Sequence, residues 1–317
     1  MKKAVLLYKK SKNIGDDIQG LAALTLLNDP ETVILDRENL SQPEETEDLK
    51  LLCNGWFMDY AENWPPAKNV HPYFISFHVA KYPKIRKLML DPKLVPYYQQ
   101  FEPIGCRDHE TVTLFNNIGI NTYFSGCLTL TLPKSEKKRS NDIIITDLFI
   151  NDILTGDYAK KVSYKLIPEK YHKYVKLRTH VRPHGNVSVA DRLKDSQALL
   201  DEYAQAKLVV TSRIHCALPC LALGTPVYFL DFGYVRKSNR DRFDGILDLM
   251  HVVRPTIPFH ENTRLEKIVK FFGLHRLFFP FIKKLKIDWE NPLQNPTEYQ
   301  QIADKIKKRV SDEFGLN

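Results

Sequence analysis

Two side chains with the chemistry of a reactive site, an arginine and a histidine, lie close together in LVVTSRIHCALPCLALGTPVYFL, residues 208–230. The apolar start predicts a buried strand that ends near Ser212, and an apolar helix then runs to Gly224. Arg213 and His215 therefore fall in the first turn of a helix, where unpaired backbone N–H groups favour an anion. Arginine offers a planar fork to phosphate or carboxylate, and histidine exchanges protons near neutral pH. The stretch predicts an anion site with a proton-transfer group.

A structural alternative stays open for both side chains. Arg213 would then pair with a carboxylate of the framework, and His215 would be a hydrogen-bonded histidine of the core. Ion pairs of that kind also occur in clefts, so position alone does not decide between the two interpretations.

The stretch IGCRDHETVTLF, residues 104–115, has the same build in the first half of the chain. A strand end carries Arg107 and Asp108, and a helix follows, with Asp108 expected as its cap. Arg107 is different, because a cation at a helix N-terminus opposes the helix dipole. We therefore expect an anion to lie between Arg107 and the helix.

A third turn, NIGDDIQG at residues 13–20, carries two acids. We expect Asp16 or Asp17 to cap the helix that runs to Leu27. The other carboxylate would then bind a sugar hydroxyl or serve as a base.

The elements that must position these residues alternate between strands and helices, which is typical of α/β folds with parallel sheets. A turn is expected at Asn54-Gly55, and TYFSGCLTLTL at residues 122–132 has a strand pattern. The charged stretch 133–142 is the linker candidate, which predicts domains at residues 1–138 and 139–317. The last helix, about 297–314, is expected to lie across the outside, against the first domain. In such folds ligands bind beyond the carboxyl ends of the strands, here between the two domains.

Composition places the chain among globular proteins that favour anionic partners. Its 317 residues are 43% hydrophobic and carry a net charge of +8. No apolar run is long enough for a signal peptide or a membrane span. The five cysteines form no CxxC pair, which argues against a metal site. Together these features predict a reduced, cytoplasmic protein. No dinucleotide, P-loop, zinc-protease or nucleophile-elbow motif is present.

The three stretches, in this order, resemble the polysaccharide pyruvyl transferase family. The third is the most specific, with S-R-x-H followed by G-x-P behind the AKLVVT strand. The resemblance implies two Rossmann-like domains facing a cleft, as in GT-B glycosyltransferases. It also implies transfer of a pyruvyl group from phosphoenolpyruvate, without a cofactor, to hydroxyls of a cell-surface polysaccharide or its precursor. The chain departs from the family at CNGWFMD (53–59), where many relatives have a glycine-rich run, and FSGCLTLTL (124–132) lacks an acid often found there.

The resemblance also assigns roles to individual residues. Arg213 matches the donor-binding arginine, His215 the catalytic histidine, and Arg107 the arginine that reaches the donor from the other domain. We predict all three as catalytic residues. The acceptor side is assigned to the first domain and the donor side to the second. Together with the turn patterns above, we predict donor binding by Arg107, Ser212, Arg213, Ile214 and His215, and acceptor binding by Asn13, Asp16, Asp17 and Asn54.

Two further segments are basic. Residues 271–289 interleave phenylalanines with Arg and Lys, which suits either contact with the inner face of a membrane or aromatics buried between domains. Arg236, Lys237, Arg240 and Arg242 follow a strand end and would either help bind the donor or form a solvated loop. No nucleic-acid motif is present. Two alternatives to pyruvyl transfer remain: a glycosyltransferase that uses a nucleotide sugar, and a non-catalytic protein that binds glycan or phosphate.

Overall fold

The structure is a computed structural model, and it describes residues 1–148, 156–183, 186–231, 241–254 and 283–316. Strands alternate with helices, and the strands form two sheets in which every strand pairing is parallel. The predicted α/β class with two parallel, Rossmann-like sheets is confirmed.

The first sheet has six strands. They are β1 (Lys2–Leu7), β2 (Val33–Asp36), β3 (Leu49–Phe57), β4 (Val70–Val79), β5 (Ile104–Cys106) and β6 (Thr122–Phe124). Their spatial order is β2-β1-β3-β4-β5-β6. The helices of this half are α1 (Ile14–Leu27), α2 (Pro83–Met89), α3 (Val95–Gln99) and α4 (His109–Asn116). We call this sheet with α1–α4 the first lobe.

The second sheet has five strands. They are β7 (Ile143–Thr146), β8 (Val175–Arg178), β9 (Leu208–Thr211), β10 (Val227–Leu230) and β11 (His251–Val253). Their spatial order is β11-β10-β9-β7-β8. The helices described in this half are α5 (Gly156–Leu166), α6 (Val189–Gln205), α7 (Ile214–Leu223) and the final α8 (Glu298–Phe314). We call this sheet with α5–α7 the second lobe.

The turn expected at Asn54-Gly55 is wrong. Strand β3 continues to Phe57 through an irregularity between Cys53 and Gly55. Gly55 has a φ of +100°, and a Cβ there would lie 2.0 Å from the Tyr8 hydroxyl oxygen. Glycine lets the strand bend past Tyr8 and continue, so the dipeptide marks a bulge rather than a turn.

The strand expected over residues 122–132 is only partly correct. Strand β6 ends at Phe124, Gly126 takes a φ of +69°, and Leu128–Thr131 form a buried 3-10 turn. This turn packs among α1, α7 and α8. A short apolar run is equally suited to a buried strand and to a buried turn, which is why its pattern misled.

The two lobes share one layer of helices. Helix α1 of the first lobe packs on α6 and α7 of the second, and Ile18 and Ala22 belong to the same buried cluster as Tyr203 and Ala217. The backbone also joins them, because the N–H of Ile14 donates to the carbonyl of His180 at 2.7 Å. These contacts bring the carboxyl ends of the two sheets face to face.

Helix α8 packs on the first lobe although it follows the second sheet in the chain. Ile306, Val310 and Phe314 are buried in one cluster with residues of β1, α1 and β3. Lys50 of β3 donates to the carbonyl of Glu313 at 2.6 Å. No helix in the described part of the chain combines the length and the apolar run that crossing a membrane requires.

A buried carboxylate ties the lobes together at their contact. Asp17 of α1 is fully buried and forms ion pairs with Arg182, which follows β8, and with Arg192 of α6. Arg192 also donates to the backbone carbonyls of Lys9, at 2.6 Å, and Ser11, at 2.9 Å. The carboxylate thus offsets two buried guanidinium groups that reach from one lobe into the other.

Replacing this carboxylate should therefore loosen the lobe contact. We expect Asp17→Asn to lower the free energy of unfolding by about 3–5 kcal/mol, because two buried cations lose their counter-charge. Urea denaturation followed by circular dichroism measures the loss. The matched control is Asp201→Asn, whose partner Lys137 lies 2.8 Å away on the surface and whose loss should cost less than about 1 kcal/mol. Equal stability of the two variants would contradict the proposed link.

Candidate active site between the lobes

A cavity of about 260 Å³ lies where the carboxyl ends of the two sheets meet. Both lobes contribute to its wall. The lining residues are Asn13, Asp16, Trp56, Asp59, Arg107, His180, Arg213, Ile214, His215 and Arg242. The arginines and the histidine predicted from separate stretches of sequence are therefore brought to one place.

Arg107 reaches the cavity from the end of β5. Its side chain is only 1% exposed, and its backbone N–H donates to the carbonyl of Phe77 at 2.8 Å. Nη1 lies 3.4 Å from Nε2 of His215, whereas Nε lies 3.8 Å from Asp108 and has no hydrogen-bond partner within the described residues. A guanidinium buried this deeply normally has close carboxylates. Arg107 is thus a buried cation whose charge is offset only in part.

Asp108 is engaged mainly with other groups. It caps α4 as predicted, accepting from the N–H of Thr111 at 2.9 Å, and it lies 2.6 Å from Nδ1 of His78. Burial raises the pKa of Asp108, but His78, Arg107 and the Thr111 N–H outweigh that effect and hold the pKa below its ordinary value. Asp108 is therefore a fixed anion that stabilises the helix start and leaves Arg107 partly uncompensated.

Arg213 enters from the second lobe as the N-cap residue of α7. Its Nε donates to Asp147 at 3.1 Å, and the same carboxylate oxygen accepts the N–H of His180 at 2.7 Å. Arg213 therefore does pair with a carboxylate of the framework, as the structural alternative expects, but through Nε alone. Among the described residues its two terminal nitrogens have no hydrogen-bond partner, and the side chain lines the cavity.

His215 lies in the first turn of α7 and is 9% exposed. Burial lowers its pKa far below the ordinary value, and the positive charges of Arg107, Arg242 and Arg213 lower it further. The imidazole is therefore neutral at pH 7. Because the Arg107 guanidinium can only donate, Nε2 of His215 is the acceptor and carries a lone pair.

Gly15 allows the two lobes to approach at this point. A Cβ on Gly15 would lie 2.9 Å from Cβ of His215 and 3.1 Å from Nδ1 of His180. Any side chain there would push the start of α1 away from the start of α7. Glycine at position 15 thus allows the starts of α1 and α7, which both border the cavity, to lie close together.

The residues assigned to the acceptor separate into two groups. Asn13 and Asp16 line the cavity, whereas Asp17 lies in the ion pair between the lobes and Asn54 is buried within β3. The expectation that Asp16 or Asp17 caps α1 is wrong. Asn13 is the cap, accepting from the N–H of Gly15 at 3.1 Å, because the helix starts one residue after it.

Asp16 is free of the capping role and faces the cavity. Ser11 donates to its carboxylate at 2.6 Å and Asn13 at 3.2 Å. Burial raises the pKa of Asp16, against the opposing effects of Arg37, Ser11 and Arg213.

The remaining two donor-side residues contribute in different ways. Ile214 lines the cavity, but Ser212 is buried and its hydroxyl donates to the carbonyl of Leu230 at 2.9 Å. The serine therefore fixes the end of β9 against β10.

Three lining residues were not predicted: Trp56, Asp59 and His180. Trp56 and Asp59 belong to CNGWFMD, where an expected turn concealed that β3 continues to Phe57 and brings Trp56, with Asp59 just after it, to the cavity. His180 follows the end of β8, and its position at a strand end was the available signal. Arg242 does line the cavity, whereas Arg236, Lys237 and Arg240 lie outside the described residues.

Two other expectations concern metals and membranes. All five cysteines are buried and free, and no three His, Cys, Asp or Glu side chains of the described ranges cluster as metal ligands. Of the basic aromatic segment, residues 271–282 lie outside the described residues. Trp289 at its end is buried, with its ring centroid 6.2 Å from that of Tyr171.

Comparison with known proteins places these residues within a recognised family. The family model described as polysaccharide pyruvyl transferase matches residues 13–234, which include nine of the ten lining residues. No curated protein matches the chain. A solved structure of a functionally uncharacterised protein from Klebsiella pneumoniae is similar at 14% identity and a TM-score of 0.43, covering 78% of this chain and 88% of the other. Because the family model spans most of its length, the chain belongs to the polysaccharide pyruvyl transferase family.

Proposed function

We propose that the chain transfers the pyruvyl group of phosphoenolpyruvate to hydroxyls of a saccharide. The observation that carries this proposal is Arg107, a buried and partly uncompensated cation that meets Arg213 and His215 in one cavity. The family supplies the reaction class, and the cavity supplies the charges that such a donor needs.

The donor would be bound from both lobes. Phosphoenolpyruvate carries a carboxylate and a phosphate on the same carbon, so its site needs cations that converge from more than one direction. Arg107 and Arg213 provide them. Helix α7 adds a third feature, because it starts without a side-chain cap and without an acid in its first turn. Its first N–H groups can therefore donate to the anion.

The accepting hydroxyl would approach from the first lobe. Asn13 and Asp16 line that side of the cavity and offer an amide and a carboxylate to a sugar hydroxyl. Asp17 and Asn54 are not included in the proposal, because neither lines the cavity.

The transfer can be written so that every atom is accounted for. A proton adds to the methylene carbon of the donor, which becomes the methyl group, and positive charge develops on the neighbouring carbon. One sugar oxygen attacks that carbon and loses its proton. The bond from the carbon to the phosphate oxygen breaks, and phosphate leaves with the electron pair. A second hydroxyl closes the ketal and also loses its proton. The two protons lost by the hydroxyls balance the proton that the methylene carbon gains and the proton that the released phosphate carries.

His215 is suited to move these protons. In the free protein the ring is neutral, and its Nε2 lone pair lies 3.4 Å from Nη1 of Arg107. When the donor anion accepts the N–H of Arg107 instead, Nε2 would be available to accept the proton of the attacking hydroxyl. Binding of a multiply charged anion beside Arg107 would offset the positive field that keeps the imidazolium from forming. The donor itself would thereby make His215 a better base. Arg107 and Arg213 would stabilise the charge that accumulates on the leaving phosphate.

The reaction is tested by release of inorganic phosphate from phosphoenolpyruvate in the presence of a panel of glycosides. We expect release that depends on a glycoside, together with a product whose mass increases by one pyruvyl group. Consumption of a nucleotide sugar instead would replace the proposal with glycosyl transfer. If the panel yields neither reaction, the proposal is contradicted.

If His215 accepts the proton of the attacking hydroxyl, replacing it should lower the rate of transfer without unfolding the protein. We expect His215→Ala and His215→Asn to lower kcat about 10²–10⁴-fold, because the proton acceptor is lost. The control is His71→Ala, which removes a surface histidine of β4 and should leave kcat unchanged. Circular dichroism checks that all three variants fold. Turnover by His215→Ala close to that of the unmodified chain would exclude the histidine from the mechanism.

The positive charge of Arg107 predicts that removing it changes the pKa of His215. Arg107 disfavours the imidazolium, so Arg107→Gln should raise the pKa of His215. Nitrogen-15 imidazole spectra recorded against pH measure it, with His215→Asn identifying the signal. Arg178→Gln, which breaks a surface pair with Glu202, should leave the titration unchanged. A His215 that titrates at its ordinary pKa in the unmodified chain would contradict the neutral imidazole described above.

A further inference from the structure

The wall of the cavity differs in charge according to the element that supplies it. Strand β5 and the second lobe bring cations: Arg107, Arg213 and Arg242. The start of α1 brings Asp16, the end of β3 brings Trp56, and Asp59 follows two residues after that strand. The donor that we propose needs only the cationic part. The carboxylates and the indole have no role in binding it, and they point to a second ligand of different chemistry.

Trp56 is held firmly in this wall. The Arg37 guanidinium, on a residue that is 3% exposed, donates through Nη1 to the Trp56 carbonyl at 2.7 Å. Cζ of Arg37 lies 4.9 Å from the centroid of the Trp56 ring and 3.8 Å from that of the Tyr8 ring. The ring of Tyr82 meets the indole edge-on at 5.7 Å. The half-buried indole is thus fixed on several sides while it lines the cavity.

Asp59 is fixed by the same group of residues. Its N–H donates to the carboxylate of Glu38 at 3.1 Å, and Arg37 donates to its Oδ2 at 3.2 Å. Oδ1 has no hydrogen-bond partner among the described residues. The side chain of Asp59 is 53% exposed at the mouth of the cavity, whereas Asp16 lies deeper. Both carboxylates therefore line the same cavity as Trp56, and Asp59 is the more exposed of the two.

An indole with carboxylates beside it is suited to a pyranose ring. The C–H groups of the ring pack against an aromatic face, and the hydroxyls around its edge donate to carboxylate oxygens. The same carboxylates repel a ligand that carries its own negative charge, so they favour a neutral sugar over an anionic one. Asn13 can both donate to and accept from such a ring.

We propose, building on the pyruvyl-transfer proposal, that the accepting unit is a neutral pyranose that stacks on Trp56. Its hydroxyls donate to Asp16 and Asp59, and these carboxylates exclude uronic acids and sugar phosphates from the acceptor position. The negative charge of the product at this position then comes from the transferred pyruvyl group alone. Repulsion by Asp16 and Asp59 would help to release that product.

Tryptophan fluorescence tests the binding step without relying on turnover. Of the three tryptophans, Trp64 and Trp289 are each 4% exposed, and only Trp56 lines the cavity. We titrate methyl glucoside, galactoside and mannoside, and the matching uronides, with and without phosphoenolpyruvate. A neutral glycoside should change the emission, and its uronide should not. Trp56→Phe should abolish the change, and Trp289→Phe should retain it.

Steady-state kinetics test the same assignment during transfer. Trp56→Ala should raise the KM for the neutral acceptor about tenfold and leave the KM for phosphoenolpyruvate within about twofold. Asp59→Asn should lower the preference for a neutral glycoside over its uronide, measured as the ratio of their kcat/KM values. Asp304→Asn, an exposed residue of α8 that does not line the cavity, should leave that preference unchanged.

The outcomes separate this inference from the proposed function. Emission changes without pyruvyl transfer would support the neutral acceptor site and contradict the transfer. Transfer with an unchanged acceptor KM in Trp56→Ala would support the function and overturn the site. The site is also overturned if a uronide binds as tightly as its neutral partner, or if no glycoside changes the emission under either condition.

Discussion

A buried guanidinium requires negative charge close by, and Arg107 has little of it within the described residues. Its nearest carboxylate, Asp108, lies 3.8 Å from Nε and is shared with His78 and the first turn of α4. The closest group on Nη1 is the neutral ring of His215, at 3.4 Å. Burial lowers the pKa of His215, and the same positive charge that calls for an anion lowers it further, so the ring is unprotonated. The need for an anionic donor and the presence of a base thus arise from one contact between the lobes.

That contact depends on how the two parallel sheets are joined. Each sheet delivers polar residues at its carboxyl edge, and a cavity forms only because the two edges face one another. The buried pairing of Asp17 with Arg182 and Arg192 fixes the lobes, and Gly15 lets the starts of α1 and α7 come close. Asp17, first assigned to the acceptor, therefore contributes to the site by holding it together.

The sequence was most informative where function requires unusual residue types. Arg107, Arg213 and His215 stood out because they interrupt apolar stretches at strand-to-helix turns, and all three line the cavity. Trp56 and Asp59 were missed because Asn54-Gly55 has the pattern of a turn, whereas the contact of Gly55 with Tyr8 lets β3 continue. Asn13 was passed over as a cap because two acids follow it. The meeting of Arg107 with His215, 108 residues apart, follows from tertiary packing that no local pattern encodes.

A crystal structure of the chain with phosphoenolpyruvate bound tests the shared donor site most directly. We predict one donor molecule in the cavity between the lobes, with a carboxylate or phosphate oxygen within hydrogen-bond distance of Arg107 and another near Arg213 at the start of α7. Nε2 of His215 should face the space beside the donor carbon that is attacked. A donor bound elsewhere, or one that contacts a single lobe and leaves Arg107 without an anion, would contradict the proposed site.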